Sequence, residues 1–132
     1  MKRIWSKHWN ASKRPNKQRK YRFNAPLHIQ HAFLGAHLSP ELRKKYGMRN
    51  TPLRKGDKVK ILRGKYKKKT GKITKILLKK QKIYIEGIEI VKKDGNKSFV
   101  PLRSSQLMIT ELELGDKLRR EKLEKKNIKE KK

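Results

Sequence analysis

Histidines and carboxylates are the residues of this sequence that could bind a metal ion or transfer protons. His28 and His31 lie three residues apart on a possible helix, and such a pair can bind a metal ion. No carboxylate or thiol accompanies them, so we expect polar residues on a binding surface rather than a metal site. Glu86 and Glu89 flank Gly87 in a predicted turn, where a general acid–base pair would lack a cleft. These two carboxylates are expected to pair with neighbouring lysines.

Serines and glycine–lysine steps offer no better arrangement for catalysis. Ser104 and Ser105 have no histidine or lysine nearby in the sequence that is placed to act as their base. The Gly-Lys steps at residues 64–65 and 71–72 lack the spacing and the Ser or Thr of a phosphate-binding P-loop. The sequence therefore predicts a protein that is not an enzyme, with no catalytic residue, metal site or cofactor.

Positive charge dominates the composition. The 132 residues include 40 Lys and Arg against 11 Asp and Glu, which gives a formal net charge of +29. A compact domain of this size would repel itself unless a polyanion neutralised it, and nucleic acid is the commonest one. Hydrophobic residues make up 33% of the chain, below the roughly 45–50% of ordinary globular domains. We expect one small core, carrying segments that order only on a partner.

The absence of cysteine and of long apolar runs narrows the cellular location. Without cysteine there is no disulfide or thiolate metal site, and nothing indicates secretion. No apolar run approaches the roughly 18–20 residues of a membrane span, so no membrane insertion is expected. Residues 1–9 are basic but no apolar segment follows them, which argues against a secretory signal. Their composition suits a mitochondrial presequence, but the acid-free stretch continues to Asn24, which favours contact with RNA.

Residues 1–24 form a basic segment in which aromatic residues are interspersed. Nine of these residues are Lys or Arg and none is Asp or Glu. Blocks of one charge sign are usually disordered alone and often serve as interaction arms. Trp5, Trp9, Tyr21 and Phe23 could stack on unpaired bases while the cations contact phosphates, or they could pack back onto the protein. The sequence leaves both alternatives open for each ring.

Two short helices are predicted after this arm. The first has Asn24 as its possible cap and Pro26 near its first helical position, and it continues until Gly35. The second has Ser39 as its N-cap and Gly47 as its stop. Neither helix is long enough to be stable alone, so both need a surface on which to pack.

Residues 54–114 have the alternating pattern of short β-strands. Strands are predicted over residues 58–62, 72–78, 82–85, 88–91, 98–102 and 107–112, with a hairpin turn at Asp94-Gly95. Five or six strands in about sixty residues predict a mainly β fold, a small antiparallel barrel. The predicted core consists of Val59, Ile61, Ile73, Leu77, Ile83, Ile85, Ile88, Val100 and Ile109.

The last segment is charged and has a helical pattern, with Lys and Glu at favourable i, i+4 spacing. Its apolar stripe of Leu114, Leu118 and Leu123 is too narrow to anchor it firmly, so we expect a frayed tail that faces RNA or solvent. The predicted division of the chain is a basic N-terminal arm with two short helices (1–53), a barrel (54–114) and a charged C-terminal helical tail (115–132).

The stretch from Lys55 to Ile73 carries the most informative pattern. Its two strands are joined by a loop with a glycine at either end, Gly64 and Gly71. Glycine allows a left-handed backbone and close approach to a phosphate chain. The loop supplies its charge through Lys65, Lys67, Lys68 and Lys69. This pattern resembles the KOW motif, which transcription elongation factors also contain.

Two further segments narrow the resemblance. Residues 21–28 read Tyr-Arg-Phe-Asn-Ala-Pro-Leu-His, and residues 37–47 read His-Leu-Ser-Pro-Glu-Leu-Arg-Lys-Lys-Tyr-Gly, followed by Arg49 to Pro52. Together with the KOW motif, they resemble the archaeal and eukaryotic branch of the large-subunit ribosomal protein L twenty-four family, called L twenty-six in eukaryotes. The resemblance extends over nearly the whole chain, roughly residues 12–120.

The resemblance implies an SH3-like barrel bound to the 5′ region of large-subunit ribosomal RNA. It also implies neighbouring large-subunit ribosomal proteins as partners, an early role in subunit assembly, and a cytoplasmic position near the nascent-chain exit tunnel. An independent homo-oligomer is not expected. The chain departs from the family at Lys68, where the family usually has Gly, and at residues 103–105, where Arg-Ser-Ser replaces His-Pro-Ser.

The residues expected to contact RNA are the cations of the arm and of the loop, with aromatic and polar side chains among them. They are Lys2, Arg3, Trp5, Lys7, Lys13, Arg14, Lys17, Arg19, Lys20, Tyr21, Arg22, Asn24, His28, Arg49, Arg54, Arg63, Lys65, Tyr66, Lys67, Lys68, Lys69, Lys72 and Arg103.

Two other classes of protein share parts of this pattern. A KOW-bearing transcription regulator usually adds a polymerase-binding domain, for which this chain has no room. A DNA-compacting chromosomal protein would need a dimerisation face, and no exposed apolar stripe in the sequence is long enough to form one.

Overall fold

The computed structural model describes residues 5–9 and 11–130, with side chains described as far as Glu124. The helices are α1 (Pro15–Asn24), α2 (Leu27–Ala32), α3 (Pro40–Tyr46) and α4 (Lys117–Glu130), with a 3₁₀ turn at Ser104–Gln106. The strands are β1 (Gly35–Leu38), β2 (Asn50–Pro52), β3 (Lys58–Ile61), β4 (Thr70–Leu77), β5 (Lys82–Ile85), β6 (Glu89–Val91), β7 (Lys97–Phe99) and β8 (Leu107–Glu111). The fold is mainly β with short helices, as predicted.

Six strands form the main sheet, in the order β2–β1–β8–β3–β4–β5, and β6 pairs separately with β7. Most neighbours are antiparallel, but β1 runs parallel to β8, which differs from the all-antiparallel expectation. The strand order is open at β2 and β5 among the described residues, so a closed barrel is not confirmed. The outer edge of β5 does meet the segment before β8, because Ile83 and Leu102 exchange two backbone hydrogen bonds of 2.9 Å.

The core is formed by alternate side chains along the strands. Seven of the nine predicted core residues are buried, namely Val59, Ile61, Ile73, Ile83, Ile85, Ile88 and Ile109. The other two, Leu77 and Val100, are half-buried. Because alternate side chains of a strand point to opposite faces, the polar residues between these positions remain accessible.

Several core residues come from segments that the sequence analysis did not assign to strands. Leu34, Leu38 and Leu53 have 0% exposure and belong to the same buried cluster as the β3–β5 residues. Full burial of a leucine side chain contributes about 1.5–3 kcal/mol. The segment that contains β1, α3 and β2 is therefore an integral part of the core.

The two helices predicted before β3 begin differently. Ser39 caps α3 as predicted, since its Oγ accepts a 3.4 Å hydrogen bond from the Leu42 amide, and Gly47 ends the helix with φ +62°. Asn24 does not cap α2, because it is the last residue of α1 and Pro26 is the N-cap of α2 without a side-chain hydrogen bond. A helix over residues 15–24 was not predicted, and none of its residues is buried.

The attachment of α4 corrects the expectation of a weakly anchored tail. Leu118 is exposed, as a narrow stripe would suggest, but Leu123 is 2% exposed and Arg119 only 6%. The guanidinium of Arg119 donates to both carboxylate oxygens of Asp57, at 2.6 and 2.8 Å. Asp57 is itself fully buried at the start of β3. A buried ion pair therefore fastens the first turns of α4 to the sheet.

Candidate nucleic-acid interface

The loop between β3 and β4 presents its lysines to solvent from a backbone that is held by hydrogen bonds. Lys65, Lys67, Lys68 and Lys69 are all exposed. The Lys68 amide donates to the Ile61 carbonyl at 2.8 Å, and the Ile61 amide donates to the Lys69 carbonyl at 2.9 Å. Because Ile61 is 1% exposed in the core, these hydrogen bonds tie the loop directly to the buried core.

Left-handed backbone occurs at two positions of this loop. Gly64 has φ +96°, as the predicted tight turn requires, and Lys68 has φ +74°. A side chain at positive φ costs roughly 1–2 kcal/mol relative to glycine. Lys68 therefore holds a conformation that glycine favours while placing a further cation on the loop.

Gly71 has a different role from the one that the turn suggested. Its φ is not positive, and it lies within β4 rather than in the turn. A Cβ atom at this position would lie 2.6 Å from Ile85 Cγ2 and 2.7 Å from the Glu86 carbonyl oxygen. Glycine is therefore required because the end of β5 packs against the β4 backbone, not because of a strained turn.

Tyr66 connects the loop to the β6–β7 hairpin. Its ring is half-buried against the core, and its hydroxyl donates a 3.4 Å hydrogen bond to the Glu89 carbonyl. The ammonium of Lys69 lies 5.5 Å from the ring centroid, in a cation–π arrangement. The aromatic ring thus supports the loop and orients one of its lysines.

A second turn places more basic side chains beside the loop. Arg63 donates a 3.1 Å hydrogen bond to the Ser105 carbonyl, and the Leu62 amide donates to the Gln106 carbonyl at 2.8 Å. Arg103 is exposed at the start of this 3₁₀ turn. This turn was not predicted from the sequence. Gln106 is a signal for it, because its side-chain oxygen accepts a 3.0 Å hydrogen bond from the Arg103 amide.

The N-terminal arm forms a separate basic surface on α1. The seven cations from Lys7 to Arg22 are exposed, and because α1 buries no residue, most of the helix surface is accessible. Trp5 and Tyr21 are half-buried against each other, with ring centroids 4.8 Å apart. Of the two alternatives, stacking on unpaired bases and packing back onto the protein, these two rings therefore show packing.

The predicted contact residues differ in accessibility. Lys2 and Arg3 lie outside the described residues. Half-buried are Trp5, Tyr21, Arg54 and Tyr66. Exposed are Lys7, Lys13, Arg14, Lys17, Arg19, Lys20, Arg22, Asn24, His28, Arg49, Arg63, Lys65, Lys67, Lys68, Lys69, Lys72 and Arg103.

Arg54, one of the half-buried members of this set, has an acidic partner. It forms an ion pair with Asp116, at the end of the chain segment that leads into α4. Arg54 also lies near His31, as do Arg119 and Lys122. Burial lowers the pKa of His31, and the three cations lower it further, while a backbone hydrogen bond with Leu53 acts in the opposite direction.

Two kinds of site find no support in the described part of the chain. No group of three or more His, Asp or Glu side chains there is arranged to hold a metal ion. No helix among the described residues is long and apolar enough to cross a membrane. Glu86, considered above as a possible acid or base, lines an open pocket together with Lys55 and Lys72.

These features define a small, mainly β protein whose exposed cations lie on a rigid loop and on a helical arm. Residues 12–126 match the family of ribosomal proteins described as L twenty-six in eukaryotes and L twenty-four in archaea. The chain is also 42% identical over 118 residues to the large ribosomal subunit protein uL24 of Korarchaeum cryptofilum (strain OPF8), covering 89% of this chain and 90% of that protein. The chain belongs to this family of large-subunit ribosomal proteins.

Family membership confirms the resemblance drawn from residues 21–28, 37–47 and the KOW stretch. It makes the protein a structural constituent of the ribosome. It also decides against the transcription regulator and the chromosomal protein, which share only the KOW pattern or the positive charge.

Proposed function

We propose that this protein binds large-subunit ribosomal RNA through its N-terminal arm and through the loop between β3 and β4. In this proposal it contacts the 5′ region of the RNA and neighbouring ribosomal proteins, supports subunit assembly, and lies near the nascent-chain exit tunnel of cytoplasmic ribosomes. The observation that carries the proposal is the exposure of four lysines on a loop whose backbone is bonded to the core.

The charge of the loop supports a polyanionic partner. Residues 62–69 contain five Lys or Arg and no Asp or Glu. Their mutual repulsion is unfavourable in the free protein and would be relieved by phosphate groups, with release of counterions from the RNA. Because Gly64 and Lys68 already adopt their left-handed conformations, little conformational entropy would be lost when the loop binds.

The curvature of the main sheet supports the further proposal of an SH3-like barrel. The bridge between Ile83 and Leu102 brings the outer edge of β5 to the segment that leads into β8. In such a barrel the β3–β4 loop would lie at one end, where the two strands turn. From there the loop could enter a groove or junction of folded RNA that a flat surface would not reach.

The proposal is tested by reversing the charge of Lys65, Lys67 and Lys69 together. None of them belongs to the core, so the thermal melt should stay close to that of the wild type. Removing three phosphate contacts should reduce the log–log salt slope of binding to cognate ribosomal RNA by about 3 and weaken binding at least about tenfold. Incorporation into large subunits should fall in parallel.

A matched control is available at the next hairpin of the sheet. Lys79, Lys80 and Lys82 are also exposed and lie around the turn between β4 and β5. Reversing these three charges changes the net charge by the same amount, but should leave binding within about threefold of the wild type. Equal losses in both variants would show that net charge rather than the β3–β4 loop governs binding. Normal incorporation of the loop variant would place the contacts elsewhere.

A further inference from the structure

The aromatic residues of the N-terminal arm are not equivalent. Trp5 and Tyr21 stack with 30° between their ring planes, and the Trp5 indole N–H donates a 3.0 Å hydrogen bond to the Tyr21 carbonyl. Since Tyr21 is near the end of α1, these contacts hold Trp5 against the helix. Each of the two rings has one face covered by the other.

Trp9 completes the cluster but remains accessible. Its ring centroid is 5.8 Å from that of Tyr21, with a tilt of 43°, and 43% of the residue is exposed. Exposing so much of a large apolar ring to water is unfavourable, at about 25 cal/mol per Å². A planar partner that covered the ring would recover this free energy.

The surroundings of Trp9 indicate the chemistry of that partner. The exposed cations Lys7 and Lys13 are close to it in the sequence. Lys17 is exposed on α1, one turn before Tyr21 and on the same side of the helix. No acidic residue occurs in residues 1–24. An apolar protein surface would leave these cations without partners, whereas a nucleotide combines a flat π face with a phosphate.

We propose that Trp9 stacks on an unpaired base of the bound RNA, with the Trp5–Tyr21 pair as its support and the neighbouring lysines on the flanking phosphates. This inference rests on the proposed RNA binding and adds a preference for RNA that contains an unstacked nucleotide. Bases in a continuous duplex are stacked on their neighbours and offer no free face, so the site discriminates between paired and unpaired RNA.

The test uses the full-length protein and two RNA hairpins that differ by a single bulged adenosine. The wild type should bind the bulged hairpin more tightly, and Trp9→Leu should lose about 5- to 150-fold in affinity for it, since stacking on one base contributes about 1–3 kcal/mol. Trp9→Tyr keeps a ring and should stay within about threefold of the wild type. Neither variant should change binding to the fully paired hairpin.

Fluorescence reports the contact directly. The sequence has two tryptophans, so Trp5→Phe leaves Trp9 as the only indole while retaining a ring against Tyr21. Its emission should be quenched by the bulged hairpin and much less by the paired one. Phe99→Leu serves as a control, because Phe99 is about as exposed (47%) as Trp9 but lies on β7 outside the arm. This substitution should leave the affinity for both hairpins unchanged.

Three outcomes would overturn the inference. Equal losses by Trp9→Leu on both hairpins, or equal quenching by both, would mean that Trp9 does not read an unpaired base. If Phe99→Leu lost as much affinity for the bulged hairpin as Trp9→Leu does, the loss would not be specific to the arm. In these cases RNA binding itself still stands, whereas failure of the wild type to bind either hairpin would refute the proposed function together with this inference.

Discussion

Lys68 places a positive charge at a backbone position whose conformation favours glycine. It adopts φ +74° in the β3–β4 loop, where its amide bonds to Ile61, and its ammonium is exposed. The strain is local, because the rest of the loop is bonded to the core. A lysine at this position therefore combines an exposed positive charge with a backbone conformation that glycine would adopt more readily.

We accordingly expect Lys68→Gly to raise the free energy of unfolding by about 1 kcal/mol, since relief of the left-handed strain exceeds the added entropy of the unfolded chain. Urea denaturation measures this change. Lys67→Gly is the matched control, because it removes the same charge from the same loop at a residue without positive φ. An equal rise in both variants would show that charge repulsion, not backbone strain, is relieved.

His31 links protonation to folding. Its pKa is lowered in the folded protein by burial and by Arg54, Arg119 and Lys122, so the unfolded chain binds a proton more strongly. The stabilisation is complete above the ordinary pKa of about 6.5 and is lost as the pH falls through the lowered value. His31→Gln should remove this part of the pH dependence.

Unfolding by urea between pH 7.5 and pH 5 measures the effect. The wild type should lose more stability over this range than the His31→Gln variant does. The two curves would fall in parallel if other titrating groups, and not His31, were responsible.

At the scale of elements, a buried ion pair fastens α4 to the sheet. Asp57 accepts hydrogen bonds from the Arg54 and Glu113 amides as well as from Arg119, while Arg119 also donates to the Glu113 and Pro52 carbonyls. All the carboxylate oxygens of Asp57 and the terminal guanidinium nitrogens of Arg119 are therefore used. Their hydrogen bonds connect the start of β3 with the end of β2 and with the segment after β8. The helix closes the junction at which these three segments meet.

Arg119→Met should therefore destabilise the protein by about 3–5 kcal/mol, because it leaves the Asp57 carboxylate buried without its partner. Amide exchange should accelerate in α4 and around β2 before it does in β3–β5. Arg120→Met is the control: Arg120 is exposed on the same helix, and its loss should cost no more than about 0.5 kcal/mol. Similar losses in both variants would mean that the buried ion pair is not the contact on which the stability depends.

For the whole molecule, the net charge of +29 determines how binding responds to salt. If the arm and the loop together neutralise about eight to ten phosphates, the logarithm of the affinity for cognate RNA should fall with the logarithm of salt concentration with a slope of roughly −6 to −9. Filter binding or fluorescence anisotropy across a salt series measures it. A slope shallower than about −3 would mean that contacts to bases, not to phosphates, dominate.

The sequence by itself determined those features that depend on neighbouring residues. Alternating side chains predicted β3, β4, β5 and β8, and the Ser39 and Gly47 signals predicted both ends of α3. The run of cations between two strands predicted an exposed basic loop. In each case the period of the strand, the hydrogen bond of a cap or the repulsion of like charges acts within a few residues.

Only the tertiary structure decided the features that join distant segments. Strand β1 is four residues long and pairs in parallel with β8, some seventy residues further along the chain. The partner of Asp57 is 62 positions away, and the atoms that exclude a side chain at Gly71 belong to the end of β5. The same holds for the arm, where Trp5 packs on Tyr21 and Trp9 stays exposed. Local patterns do not encode such pairings, because they depend on which surfaces meet once the core has formed.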